Sequence, residues 1–290
     1  MKYFEPKSVS EALSLLKRYG EGAKVVAGGT DVLVDMKFKE EPLCLVNIKR
    51  LPGMSYIRED NGCLRIGALT SIREIETSPV VRQKLPLLWE AAHQFASLQI
   101  RNTATIGGNV CRASPSGETL APLLVLGAIA HARFPKGEKK LPLGDFFLAP
   151  GKTLLGSKGL LREIEVPVPS KGSCGAYLKH AVRGAMDIAI VGVAVLVTPD
   201  AGGQKAKDVR IGLGAVAPTP IRARRAEKAL RGKVVGRALM EGAARIAASE
   251  SSPISDQRSS AEYRRWIVEA LTRRGLAKAW RAATGKEVEG

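Results

Sequence analysis

The chain has 290 residues, of which 45% are hydrophobic and 25% charged, an ordinary balance for a folded globular protein and long enough for one large domain or two to three small ones. Its outlier is a formal charge of +17, which suits an acidic partner, a membrane surface or nucleic acid, yet only 5% of residues are aromatic and no zinc-finger or basic-zipper pattern is present. Nucleic acid recognition and a membrane span are therefore not expected: no apolar run approaches the ~20 residues a bilayer requires, and the start Met1-Lys2-Tyr3-Phe4-Glu5-Pro6 has no secretory core, so a cytoplasmic protein is the default.

In chain order, Ser8 and Glu11 have capping-box spacing, and Val9, Ala12, Leu13, Leu15, Leu16 and Tyr19 follow at helical intervals until Gly20. Residues 24–27 read as a strand, 31–38 as a helix and 43–48 as a second strand, a small α/β unit over 1–53. Asn61-Gly62 between 54–58 and 63–68 is the dipeptide of a tight hairpin. Ser71 and Glu74 open a short helix, 87–95 and 119–126 read as helices, and 128–134 and 160–166 as strands, which makes 54–172 a mixed α+β unit. Pro167, Pro169 and the polar run 170–173 mark a boundary near residue 172. Beyond it, 176–182, 188–197 and 209–217 read as three apolar strands, and 223–230, 236–248 and 259–282 as surface helices with Ala and Leu on one side and Arg or Lys on the other. The third unit, 173–290, is thus expected to be a three-stranded antiparallel sheet under a helical layer.

Cys44, Cys63, Cys111 and Cys174 form no Cys-x-x-Cys pair, and His93, His131 and His180 are scattered, so no metal ligand set is expected. No hydrolytic triad or acid–base carboxylate pair stands out. Two glycine-centred segments do: Val25-Val26-Ala27-Gly28-Gly29-Thr30-Asp31 and Thr103-Ala104-Thr105-Ile106-Gly107-Gly108-Asn109. A Gly-Gly step lets successive main-chain N–H groups turn toward one anion, and the Thr and Asn side chains add short donors. Each segment alone is ordinary turn chemistry; two together have the form of a clamp on the two phosphates of a dinucleotide. Asp31 would be repelled by a diphosphate, so its expected role is to cap the helix that follows. There is no G-x-G-x-x-G after the first strand and no G-x-x-x-x-G-K-[ST], so neither a Rossmann nucleotide site nor a P-loop is expected.

The wording around these segments resembles the flavin-binding medium subunit of the molybdenum hydroxylase family, which includes carbon monoxide dehydrogenase, xanthine dehydrogenase and related aldehyde and aromatic hydroxylases. The matching residues are Ala27 to Asp31 and Ile100-Arg101-Asn102-Thr103-Ala104-Thr105-Ile106-Gly107-Gly108-Asn109. They continue with Ser114-Pro115-Ser116-Gly117-Glu118-Thr119-Leu120-Ala121-Pro122, then 160–167, 177–183, 253–258 and 261–265. The resemblance implies an α+β chain: a two-subdomain FAD-binding domain, small α/β plus mixed α+β, followed by a C-terminal domain with a three-stranded antiparallel sheet and helices. It implies FAD as cofactor, a pyrophosphate held by the two glycine segments, and flavin polyol hydroxyls bound by Glu118, where the family usually has the shorter Asp. By the same resemblance Leu161 packs on the isoalloxazine ring, and Lys179 lies near its pyrimidine edge, where an ammonium would stabilise the reduced form. The implied partners are a large molybdenum-cofactor subunit, a small subunit with two [2Fe–2S] clusters and a terminal electron acceptor. Two other readings stay open at this stage: a basic interaction module that keeps the fold without flavin, and a nucleic-acid binder motivated by charge.

Overall fold

The computed structural model describes residues 1–38, 41–184 and 186–287. The first unit comprises β1 (Lys2–Phe4), α1 (Val9–Tyr19), β2 (Ala23–Val26), α2 (Val32–Asp35) and β3 (Cys44–Asn47), with the strands in a parallel sheet of order β1-β3-β2. Ser8 accepts from the amide of Glu11 to start α1, whose Ala12, Leu13 and Leu16 are buried. The Glu11 carboxylate closes its side of the cap on Lys7 instead of Ser8. β1 is an addition to the sequence reading; at three residues it carries no periodic signal.

The second unit holds β4 (Ile57–Asp60), β5 (Cys63–Gly67), α3 (Ile72–Thr77), α4 (Pro79–Lys84), α5 (Pro86–His93), α6 (Leu98–Thr103), α7 (Ile106–Arg112) and α8 (Leu120–Leu126). It ends with β6 (Ile129–Phe134), β7 (Gly137–Pro142), α9 (Leu143–Phe146), β8 (Phe147–Ala149), β9 (Lys152–Thr153) and β10 (Leu160–Pro167). Five strands form an antiparallel sheet of order β4-β5-β10-β6-β7. The Asn61-Gly62 turn is as read: both residues have positive φ, 47° and 77°, the conformation of a tight hairpin. Alternation sets the faces. Leu64, Ile66, Ala130, Ala132, Ile164 and Val166 are buried. Arg65, His131, Glu163 and Glu165 form an ionic cluster on the opposite face, in which burial and Glu163 push the Tyr56 phenol up to about 12.

The third unit carries β11 (Cys174–His180), β12 (Val191–Pro199), β13 (Ala206–Gly214), β14 (Ile221–Arg222), α10 (Arg224–Leu230), α11 (Arg237–Glu250) and α12 (Ala261–Thr284). The three long antiparallel strands are those expected, and a two-residue fourth strand, β14, extends the sheet beside β13. Residues Val191 to Val197 of β12 are buried on both faces because α12 covers one side and α8 of the second unit the other. One apolar core runs from α1 through the middle sheet to Tyr177, Ala194 and Leu196, and a second fills the space between the C-terminal sheet and its helices. Among the described residues no helix is long and apolar enough to cross a membrane.

Candidate functional site

The β2 strand delivers Val25, Val26 and Ala27, all half-buried, to a loop whose next residues are Gly28, Gly29, Thr30 and Asp31. A Cβ at Gly28 would stand 2.1 Å from the carbonyl oxygen of Thr103, so this position admits only glycine and the first segment lies directly on the corner between α6 and α7. The two segments, 79 residues apart between Gly28 and Gly107, are therefore one structure. Gly29 has φ +74°, a left-handed turn that L side chains resist. The main-chain N–H groups of residues 28–32 donate to no acceptor among the described residues; helical bonding begins only with Leu33 to the Gly29 carbonyl. Consecutive undirected amides in a loop entering a helix make an anion-accepting nest.

The second segment differs from the loop read in the sequence. Thr105 caps α7 by accepting from the Gly108 amide at 3.0 Å, and Thr103 closes α6, so both glycines sit in the first turn of a helix. The Gly107 amide donates to Ala68 at 2.9 Å, that of Ile106 to Thr70 at 3.0 Å, and that of Asn109 to Thr105. The Gly107 and Gly108 amides, expected as pyrophosphate donors, both have protein acceptors in this structure. Gly107 instead permits contact, since a Cβ there would fall 2.5 Å from the Ala68 carbonyl oxygen. Gly108 is exposed beside the first loop's corner. Asn109 accepts from the buried Thr119 hydroxyl through Oδ1 at 2.6 Å, which leaves Nδ2 as the donor end of the amide.

Asp31 occupies the N-cap of α2, yet its side chain makes no capping bond. It pairs with Arg112 Nε at 3.2 Å, correcting the expected helix cap. Arg112, to which the sequence reading gave no role, also forks onto Asp35 at 2.6 and 3.2 Å. Arg101 is a second such residue: its Nε stands 2.9 Å from the buried Glu76 carboxylate and its guanidinium donates to the Phe95 carbonyl at 2.9 Å, fixing α6 and so the Thr103 carbonyl. Burial pushes the Glu76 carboxyl up, but Arg73, Arg101 and His93 together outweigh it and hold the group below its ordinary value.

Lys179 sits on edge strand β11 with its side chain only 9% exposed, so it is not a solvated surface lysine. Its ammonium donates to Glu118 Oε1 at 2.8 Å, the Asp187 carbonyl at 2.7 Å and the Gln94 carbonyl at 3.3 Å, three acceptors for three N–H bonds. Burial raises the Glu118 carboxyl above its ordinary range, and Lys179 draws it only part of the way back. Glu118, expected to meet polyol hydroxyls, thus has one oxygen already committed. Leu161, expected on a flavin ring, is 3% exposed within the main core. Two surface cavities, about 330 Å³ beside Arg58 and Lys140 and about 620 Å³ beside Trp89 and Arg82, lie elsewhere.

Residues 1–169 match the family model of the FAD binding domain in molybdopterin dehydrogenase, and residues 176–279 that of the CO dehydrogenase flavoprotein C-terminal domain. The chain belongs to this family. It is 36% identical to the carbon monoxide dehydrogenase medium chain of Hydrogenophaga pseudoflava over 96% of both chains, and 32% identical to a putative xanthine dehydrogenase FAD-binding subunit of Escherichia coli (strain K12) over 98% of this chain and 97% of that one. The structure of carbon monoxide dehydrogenase from H. pseudoflava lacking the Mo-pyranopterin moiety superposes with a TM-score of 0.94 over 98% of each chain, at 36% identity. That of quinoline 2-oxidoreductase from Pseudomonas putida 86 does so at 0.91 and 28% identity. This flavoprotein subunit of an oxidoreductase takes FAD as its cofactor. The residues fit that group: the open amides of residues 28–32 suit a diphosphate, and Asn109 keeps its Nδ2 as a donor.

Proposed function

We propose that this chain is the electron outlet of a three-subunit molybdenum hydroxylase. In this reading a large molybdenum-cofactor subunit oxidises substrate, a small subunit with two [2Fe–2S] clusters relays electrons one at a time, and FAD on this chain delivers them to a terminal acceptor, in the cytoplasm. FAD when bound supplies the redox step between one- and two-electron carriers; the protein supplies orientation and electrostatics. The observation that carries the reading is the contact of Gly28 with the Thr103 carbonyl, which joins two distant glycine segments beside a row of unengaged amides.

Each residue then has a task. The amides of Gly28, Gly29, Thr30 and Asp31, with the Thr30 hydroxyl and the Asn109 amide, hold the pyrophosphate. Val25, Val26 and Ala27 form the strand that aims this loop, and Thr103, Thr105, Ile106, Gly107 and Gly108 the corner that backs it. Leu161 supports the ring side from within the core. Lys179, with Glu118, sets the charge near the ring's pyrimidine edge, and because Glu118 shares that charge the ammonium acts as a neutralised pair rather than a bare cation.

The test is the visible spectrum of the chain purified with and without co-expressed partner subunits, before and after added FAD, with the released cofactor identified by chromatography. Stoichiometric FAD and reduction of its band by substrate in the reassembled complex are expected. Failure of the complex to retain FAD overturns the reading.

A further inference from the structure

We infer that Arg112 is a positioning residue of the FAD cradle, holding the 28–31 loop on α7 and neutralising the Asp31 carboxylate that follows the open amides. The inference rests on the FAD reading. A carboxylate next to a row of anion-accepting amides is a contradiction unless a cation accompanies it. Asp31 and Asp35 stand one helical turn apart, so they repel each other as well. Arg112 answers both: Nε reaches Asp31 at 3.2 Å while the two terminal nitrogens fork onto Asp35 at 2.6 and 3.2 Å. Such a planar fork is a geometry that lysine cannot reproduce.

Placement makes the contact more than a surface ion pair. Arg112 is the last residue of α7, the helix that Thr105 caps and Gly107 presses onto Ala68. Asp31 and Asp35 belong to the loop and helix that leave Gly28. The ion pair and the contact of Gly28 with Thr103 therefore bind the first unit to the second at two points on either side of the nest. Losing Arg112 removes one point and takes the guanidinium from the Asp31 carboxylate beside the site. A carboxylate facing a diphosphate weakens binding by charge, whereas a purely structural arginine would act through position alone.

The experiment measures FAD dissociation constants of the full chain within its reassembled complex for wild type, Arg112→Met, Arg112→Lys and Arg112→Met combined with Asp31→Asn. Circular dichroism of each variant without FAD checks the fold. Arg112→Met is expected to bind FAD about tenfold to a hundredfold more weakly, the range for losing a charge-assisted fork. Arg112→Lys should recover part of the loss, and adding Asp31→Asn to Arg112→Met should recover at least half of it on a logarithmic scale. Arg112→Met binding within about twofold of wild type overturns the inference while leaving the FAD reading intact. A double variant as weak as Arg112→Met alone overturns the charge role. Wild type that takes up no FAD overturns the underlying reading and this inference with it.

Discussion

At the scale of single residues, the Lys179–Glu118 pair makes opposite predictions for its two members. Removing the ammonium (Lys179→Met) leaves Glu118 as the local charge, so the midpoint potential of bound flavin should fall; removing the carboxylate (Glu118→Gln) leaves Lys179 uncompensated, so it should rise. Each shift is expected on the order of 30 mV, the equivalent of about 1.4 kcal/mol for a two-electron couple. Redox titration of the two holoproteins checks this, and two unchanged potentials would remove the pair from flavin electrostatics. Stability gives an independent reading. Burial raises the Glu118 carboxyl above its ordinary 4.5, and without Lys179 only a main-chain hydrogen bond still draws it down. A carboxyl raised in the folded state contributes stability that is full below its unfolded value and lost as pH rises through its folded value. The deficit of Lys179→Met relative to wild type should therefore be small below pH 4.5 and widen as pH increases.

Glu76 has the reverse sign. It is held below 4.5 in the folded protein, so its stabilisation is present above that pH and disappears as pH falls through the lowered value. Glu76→Gln strips the partner from the Arg101 guanidinium that anchors α6, and breaking a buried pair of this kind costs about 3 kcal/mol. Urea unfolding at pH 7 should show that loss, and the gap between variant and wild type should narrow as pH falls below 4.5 through the lowered value. A gap unchanged by acid would assign the cost to packing instead of charge.

At the scale of elements, the site depends on one corner. Gly28→Ala places a methyl against the Thr103 carbonyl, a backbone atom that cannot swing aside, so the loop must move. The expected outcome is a destabilisation of about 1–3 kcal/mol, typical of overpacking, together with a larger loss of FAD retention. Calorimetry and flavin content report the two separately, and full flavin content at normal stability would show that the corner is not required. This residue also shows what the sequence contained and what it did not. Gly28 was legible as a special position, but the reason legible locally was freedom of the amides, while the contact that demands glycine comes from Thr103, 75 positions away in the chain. Gly107 and Gly108 were legible for the same local reason and prove to be helical, because the Thr105 cap outweighs the glycines' poor propensity for an interior turn. Strands β1, β7 and β14 were not legible. β1 and β14 are three and two residues long, and β7 is an edge strand, Gly-Glu-Lys-Lys-Leu-Pro, whose charges protect the sheet edge and erase its apolar alternation. Arg112 escaped notice because an arginine at a helix end is ordinary for the helix dipole, and its carboxylate partners lie in another unit.

For the whole molecule, the excess positive charge has a location. Several cations of the C-terminal unit are paired, as Arg222 with Glu227, Arg231 with Asp208 and Lys278 with Glu90. Arg224, Lys228, Arg245, Arg265, Arg273 and Arg274 are exposed and make no ion pair among the described residues. The exposed Trp266, at 61%, lies among the last of these on α12. A field of unpaired arginines lowers stability slightly through self-repulsion and accelerates encounter with an oppositely charged surface. Assembly with partner subunits is therefore expected to be steered by charge, with an association rate that falls steeply between about 50 and 500 mM salt as the screening length shrinks from above 10 Å to a few ångströms. Stopped-flow mixing of this chain with the complex lacking it measures that rate. Charge reversal at Arg273 and Arg274 should lower the association rate at low salt and leave dissociation nearly unchanged, because rim charges act on encounter more than on the formed contact. An association rate indifferent to both salt and reversal would assign the arginines to solvation of the helix face, and the partner contact would then have to lie on other surfaces of the chain.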